Sequence, residues 1–196
     1  AVLTPEGYDV EAINLPTSDL PSDMNMIIIS TPERDFAPEE IDKLDAFLDG
    51  GNSLQVLMPP TGVATPKLDS YLAEWGIEFK PGFVAETDKN HYYQSQVYLI
   101  PNMVKSDVTE SLMGSNMMIL YPGCRGIKTN TNQYVTEQVL LETTNDAITK
   151  ASLDESTSGE ITAGEGDSVE KSTLASIVTK DMGDGKKARI FVSGGI

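Results

Sequence analysis

An apolar run, "MNMIIIS" (Met24–Ser30), precedes "TPERDF" and then "APEEIDKLDAFLDGGNSLQVLMPP" (Ala37–Pro60). This order constrains the fold more than any other feature of the chain. The run is continuous and β-branched at its centre, as a strand buried on both faces would be. Pro38 stands in the first helical turn, where its missing N–H costs nothing. Glu39, Glu40 and Asp42 place negative charge at the positive end of the helix dipole, and Ile41, Leu44, Phe47 and Leu48 share one face. Gly50 and Gly51 stop the helix, and "SLQVLM" reads as the next strand. Strand, helix and strand with short links predict a parallel βαβ unit with a right-handed crossover.

The pattern extends both ways. "YDVEAINL" (Tyr8–Leu15) alternates apolar and polar residues as a half-buried strand does. Thr65 and Pro66 open a second helix with Leu68, Leu72 and Trp75 inward and Gly76 as its stop, and "IEFKPGFV" is a short extended piece. Further on, "QVYLIPN", "NMMILYPG" and "YVTEQVLLETT" read as strands and "DVTESLMG" as a short helix. "TLASIVTKDMGDGKKARIFVSGG" reads as a hairpin. The expected architecture is one α/β domain over 1–196: three layers, a mostly parallel sheet with helices on both faces, flavodoxin-like, plus a C-terminal β-hairpin. Residues 152–172 are acidic and rich in Gly, Ser and Thr, which predicts an exposed loop within it.

Charge and rare residues narrow the function. The formal net charge is −16, from 14 basic and 30 acidic residues. That argues against nucleic acid and anionic membrane surfaces, both of which need clustered Lys and Arg. One cysteine and one histidine exclude a disulfide framework, a thiolate zinc site and a histidine-rich metal site. The sequence implies no cofactor. No run of about 18 apolar residues is present to span a bilayer. The chain opens and closes almost directly on strands, so the expectation is an excised piece of a longer protein.

Four stretches could carry chemistry. Cys124 in "YPGCRG" follows a predicted strand, as a nucleophile would. Its thiolate needs a histidine base, and the single histidine, His91, lies in "TDKNHYYQ", with nothing to bring the two together. The plain alternative is a small buried thiol. His91, Tyr92 and Tyr93 could contact a sugar or other polar ligand, against an ordinary loop histidine. "DESTSGEITAGE" matches the register of a calcium loop, with Asp154, Ser156, Ser158 and Glu165 as ligands, Gly159 at the turn and Ile161 at the apolar position. Two serines replace carboxylates, and neither flank reads as a helix, so a solvated loop is the default. "PPTGVATP" after the second strand has no lysine and no phosphate-cradling pattern. Ligand contacts in an open α/β sheet come from loops at the strand carboxyl ends, which here offer Thr31, Glu33, Arg34, Thr61 and Arg125. These could hold an anionic or sugar-like ligand; no catalytic set is expected.

Several stretches together resemble a known family. "IIISTPERD", "APEEIDKLDAFL", "DGG" and "SLQVLM" are similar to the GldG-type auxiliary domain of ABC transport systems, named for gliding motility. The resemblance continues through "LDSYLAEWGIEF", "ILYPGCRGIKT", "VLLETTNDAITKA" and "GKKARIFVSGG", most of the chain. It departs at the end, where "SGGI" replaces the usual "Gds". The resemblance implies a class I glutamine amidotransferase-like fold without its catalytic residues. It implies a non-catalytic domain on the extracytoplasmic face of the bacterial membrane, tethered through segments outside this chain. Its partners would be the ABC permease and ATPase subunits, with a homo-oligomer also open. The family carries over no functional residue. Two rivals stand beside this expectation: a sensor for carbohydrates or other polar solutes, and an amidotransferase-like enzyme using Cys124.

Overall fold

The computed structural model describes residues 3–115, 117–153 and 159–196. Strands β1 (Met26–Ser30) and β2 (Ser53–Leu57) run parallel, from Met26 opposite Ser53 to Ser30 opposite Leu57. Helix α1 (Pro38–Asp49) joins them. Helix α2 (Pro66–Glu74) feeds β3 (Ile77–Phe79). A run of short elements follows: β4 (Val84–Ala85), β5 (Tyr92–Tyr93), β6 (Ser95–Leu99), β7 (Asn102–Met103), α3 (Glu110–Met113), β8 (Tyr121–Pro122) and β9 (Ile127–Thr129). The chain then forms β10 (Val135–Glu142), β11 (Ile148–Thr149), β12 (Ser168–Val169), β13 (Thr173–Gly183) and β14 (Lys186–Ser193). The main sheet has the order β1-β2-β14-β13-β10-β7, with β9 added to β13 and β3 to β9. Two small sheets, β12-β11-β4 and β5-β6-β8, lie beside it.

This architecture overturns the expected three-layer, mostly parallel, flavodoxin-like sheet. Only the β1–β2 and β2–β14 ladders are parallel; the other ladders of the described residues are antiparallel. Parallel neighbours need a crossover of a dozen or more residues. After α2 the chain offers no second amphipathic stretch of that length, so its strands return through turns. β14 reaches its place beside β2 by a different route. It is the return arm of a hairpin with β13, turned through Asp184 and Gly185, both left-handed. Among its described residues "NMMILYPG" contributes a strand only at Tyr121–Pro122, and α3 is a single turn that buries none of its residues.

The helices cover one face of the sheet. Ile29 of β1, Leu54 and Val56 of β2, and Ala188, Ile190 and Val192 of β14 pack with Leu44 and Leu48 of α1 and Leu68, Leu72 and Trp75 from α2 and its end. Side chains alternate along each strand, so the residues between these point to the opposite face. There Ile28, Gln55, Phe191 and Ile177 form one row across β1, β2, β14 and β13. Phe191 and Ile177 border a second core of Leu99, Tyr121, Cys124, Leu141 and Ala175. Ile28, at the far end of the row, is 38% exposed.

The predicted strand at Tyr8–Leu15 pairs with nothing among the described residues. Tyr8 to Ala12 are exposed and irregular. Leu15 alone packs on the helix-side core, where the Lys43 ammonium donates to the Leu15 and Ser18 carbonyls, each at 2.8 Å. In the acidic segment 152–172, Ile161 is buried against Phe83 and Ala85, while Thr162 to Gly166 are exposed.

Candidate functional site

The carboxyl ends of β1, β2 and β14 converge where α1 and α2 begin. Thr31 leaves β1 while its N–H still donates to the Leu57 carbonyl of β2 at 3.0 Å. Its φ is +47°, a left-handed value that crowds a β-branched side chain. This turn aims the next residues across the top of the sheet.

Two of those residues tie the loop to both helices. Arg34 donates to both Glu40 oxygens, at 2.8 and 2.9 Å, and to the Asp35 carbonyl at 2.7 Å. Glu40 also accepts from the Ala37 N–H at 2.8 Å, which satisfies one of the orphan donors at the start of α1. The guanidinium holds the Glu40 carboxyl below its ordinary range. Asp35 accepts from the Lys67 N–H at 3.1 Å and the Leu68 N–H at 3.4 Å, so it caps α2 from another loop. Partial burial works to raise the Asp35 carboxyl; the amides of Lys67, Phe36 and Leu68 outweigh it and hold it low. Thr65, expected to cap α2, instead donates its hydroxyl to Asp69 at 3.3 Å.

Arg125 sits at the end of β14. Its N–H donates to the Gly194 carbonyl at 2.9 Å. A Cβ at Gly194 would lie 1.9 Å from the Arg125 carbonyl oxygen, so only glycine permits this approach. The Arg125 side chain turns back: Nε donates to the Lys80 carbonyl at 3.0 Å and the guanidinium lies 5.1 Å from the Phe79 ring centroid. Burial lowers its pKa from the ordinary arginine value.

Beneath this surface, Cys124 is fully buried and burial pushes its thiol up to about 12. The neighbouring Tyr121 hydroxyl is likewise raised by burial to about 12; it hydrogen-bonds Ser193 and accepts from the Gly195 N–H at 3.0 Å. The His91 imidazole lies elsewhere, its Nδ1 3.2 Å from the Ile100 carbonyl. A protonated thiol sealed in an apolar core, with no imidazole hydrogen-bonded to it among the described residues, is not an activated nucleophile.

Of the five residues predicted to hold a ligand, Thr31, Glu33 and Arg34 line one open groove of about 590 Å³ with Ser30, Pro32 and Phe36. Thr61 lies half-buried in the turn after β2 and does not line that groove; neither does Arg125. Tyr92 and Tyr93 belong to a small sheet with β6. For the calcium-loop candidate, Asp154, Ser156 and Ser158 lie outside the described residues, and Glu165 is exposed. Among the described residues no group of three or more acidic, His or Cys side chains is placed to hold a metal.

Sequence reasoning missed two buried carboxylates. Glu86 accepts from the Thr87 and Asp88 amides at 2.8 and 3.2 Å and from the Thr144 hydroxyl and amide at 2.7 and 3.0 Å, pinning two loops together. Asp167 pairs with the buried Lys150 ammonium and accepts from the Gly164 and Ala151 amides at 2.8 and 2.9 Å. Lys150 drives the Asp167 carboxyl down to about 2. Their only signal in the sequence is an acid amid small polar residues, which is common in any loop.

No protein-family model matches the chain, and no curated protein matches it. Among solved structures it resembles the mmIFT52 N-terminal domain, with a TM-score of 0.58 and 15% identity over 87% of this chain. The chain spans 65% of that one's length. The likeness is one of fold. Among the described residues no helix is long and apolar enough to cross a membrane.

Proposed function

We propose that this is a non-catalytic docking domain: an extracytoplasmic accessory part of a bacterial ABC transport system, which binds the permease and ATPase assembly through the strand carboxyl ends. One observation carries the reading. At the edge where such a sheet does its chemistry, three charged side chains are bonded to their own chain: Arg34 to Glu40, Asp35 to the α2 amides, Arg125 to Lys80. What remains outward is an open, mixed groove at Ser30–Phe36, which suits a partner's surface better than an enclosed small molecule. The partner class comes from the sequence resemblance.

The test places a photo-crosslinking residue at Glu33 in the full-length protein in native membranes. Adducts carrying ABC permease peptides support the reading. Adducts confined to unrelated proteins, or none, overturn it. The groove with Thr31, Glu33 and Arg34 also favours a polar-solute sensor as the second reading. A saturating sugar or amino acid that raises the melting temperature by several degrees, and loses that effect in Arg34→Ala, would replace docking with sensing.

A further inference from the structure

One edge of the main sheet lies at β1. The Thr31 N–H donates to the Leu57 carbonyl, and the Asn25 carbonyl accepts from the Ser53 N–H, both at 3.0 Å. In a parallel ladder the residues that face the partner alternate. Asn25, Ile27, Ile29 and Thr31 therefore face β2, and the N–H and C=O groups of Met26, Ile28 and Ser30 point outward. Among the described residues these groups take no backbone hydrogen bond. The edge also lacks the usual protections: "MIIIS" has no charge, no proline and no bulge. It is an apolar strand template.

A matching strand lies one loop away. Tyr8–Leu15 alternates as a strand does, yet Asp9 to Ile13 make no backbone hydrogen bond among the described residues. Val10 is 54% exposed. Leu15 is already anchored on the helix-side core by packing and by Lys43. Its parity sends Ile13 to the helix side and Tyr8, Val10 and Ala12 to the opposite face, where Ile28 lies bare. The seven residues before Leu15 reach about 23 Å when extended, ample for five-residue β1 at about 17 Å. The connecting segment of ten residues, 16–25, keeps the strand at high effective concentration.

We propose that the outer edge of β1 is a strand-acceptor site, and that residues 8–14 of the same molecule occupy it as an added edge strand. The inference is independent of the proposed function. A docked strand would satisfy the outward groups of Met26, Ile28 and Ser30 and cover Ile28. It would also move this edge of the sheet to a strand carrying Asp9 and Glu11, whose charges discourage further pairing.

Amide hydrogen exchange followed by NMR on the intact protein tests this, with Val10→Pro and Glu11→Pro as variants. Both substitutions fall in an exposed segment, so the core folds in each. Expected in the wild type is slow exchange at Met26, Ile28 and Ser30, independent of protein concentration. Of the two proline variants, the one whose lost N–H faced β1 speeds these amides at least tenfold, with the α1 and β14 amides unchanged. Equal exchange in the wild type and both variants overturns the proposal. Protection that grows with concentration alongside a dimer mass also overturns it, since the occupant is then a second copy.

Discussion

The Arg34 guanidinium closes both terminal nitrogens on the Glu40 carboxylate, at 2.8 and 2.9 Å, across the junction of β1 and α1. The arginine is 60% exposed and the glutamate 3%, so the pair has one wet and one dry end. The glutamate is the half the fold depends on, because it also accepts the first free N–H of α1. Glu40→Ala removes that acceptor and leaves the Ala37 N–H unsatisfied, for a loss of about 1–2 kcal/mol. Because the folded-state pKa is depressed, this stabilisation is fully present above the unfolded value, about 4.3. It is lost as pH falls through the lower folded value. Denaturant unfolding at pH 7 and pH 3 therefore shows a wild-type advantage that shrinks in acid.

Asp167 obeys the same sign over a lower window. Its carboxyl, held at about 2 by Lys150, contributes stability above an unfolded value of about 3.9. That contribution fades as pH falls through about 2. Asp167→Asn removes the carboxylate charge that pairs with the buried Lys150 ammonium and lowers the melting temperature on the order of 5 °C at neutral pH. Melting curves from pH 7 down to pH 2 show the difference closing in acid.

Cys124 is shielded by burial and by a pKa near 12. A small aromatic disulfide reagent at pH 8 labels the native protein at least about a hundredfold more slowly than the unfolded chain. Labelling becomes complete when denaturant is added. Fast native labelling would mean that the Tyr121–Gly195 side opens readily.

Thr31 holds a left-handed conformation that costs a branched residue about 1–2 kcal/mol. Glycine relieves that strain and gives part of the gain back through a freer unfolded chain. Thr31→Gly is expected to stabilise by about 0.5–1 kcal/mol in urea unfolding. If the groove serves docking, the same variant weakens crosslinking from Glu33. More stability with less binding would mark the strain as functional.

The sequence carries local information well and pairing information poorly. Helix α1 is legible because its proline, acidic first turn and glycine stop are neighbours of the segment they define. The cap of α2 is not: it comes from Asp35, 30 residues before Thr65, and no nearby residue announces it. The β13–β14 hairpin is legible because its glycine-containing turn lies between its two arms. Direction of pairing fails where partners are distant in the chain, as for β10 with β13 and β7, which no local signal marks as antiparallel. The run at β1 reads as doubly buried, yet Ile28 stays on an uncovered face because no helix is available for that side. Arg34 lies in the loop after β1 and Arg125 just after β8. Their partners Glu40, Phe79 and Lys80 were invisible because burial and hydrogen bonding are properties of the assembled loops.

The hairpin that seats β14 between β2 and β13 also sets an order of events during synthesis. Every other strand of the described sheet is made earlier, yet β14 joins the β1–β2 pair to the β13–β10–β7 half. A nascent chain halted before Lys186 holds two partial sheets with no strand in common, both with bare apolar edges. The contacts that unite them span more than 130 residues, as between Leu54 and Ile190, so closure is slow relative to forming α1 or α2. The interval between making β2 and making β14 is thus when this chain most needs protection from its neighbours on the ribosome.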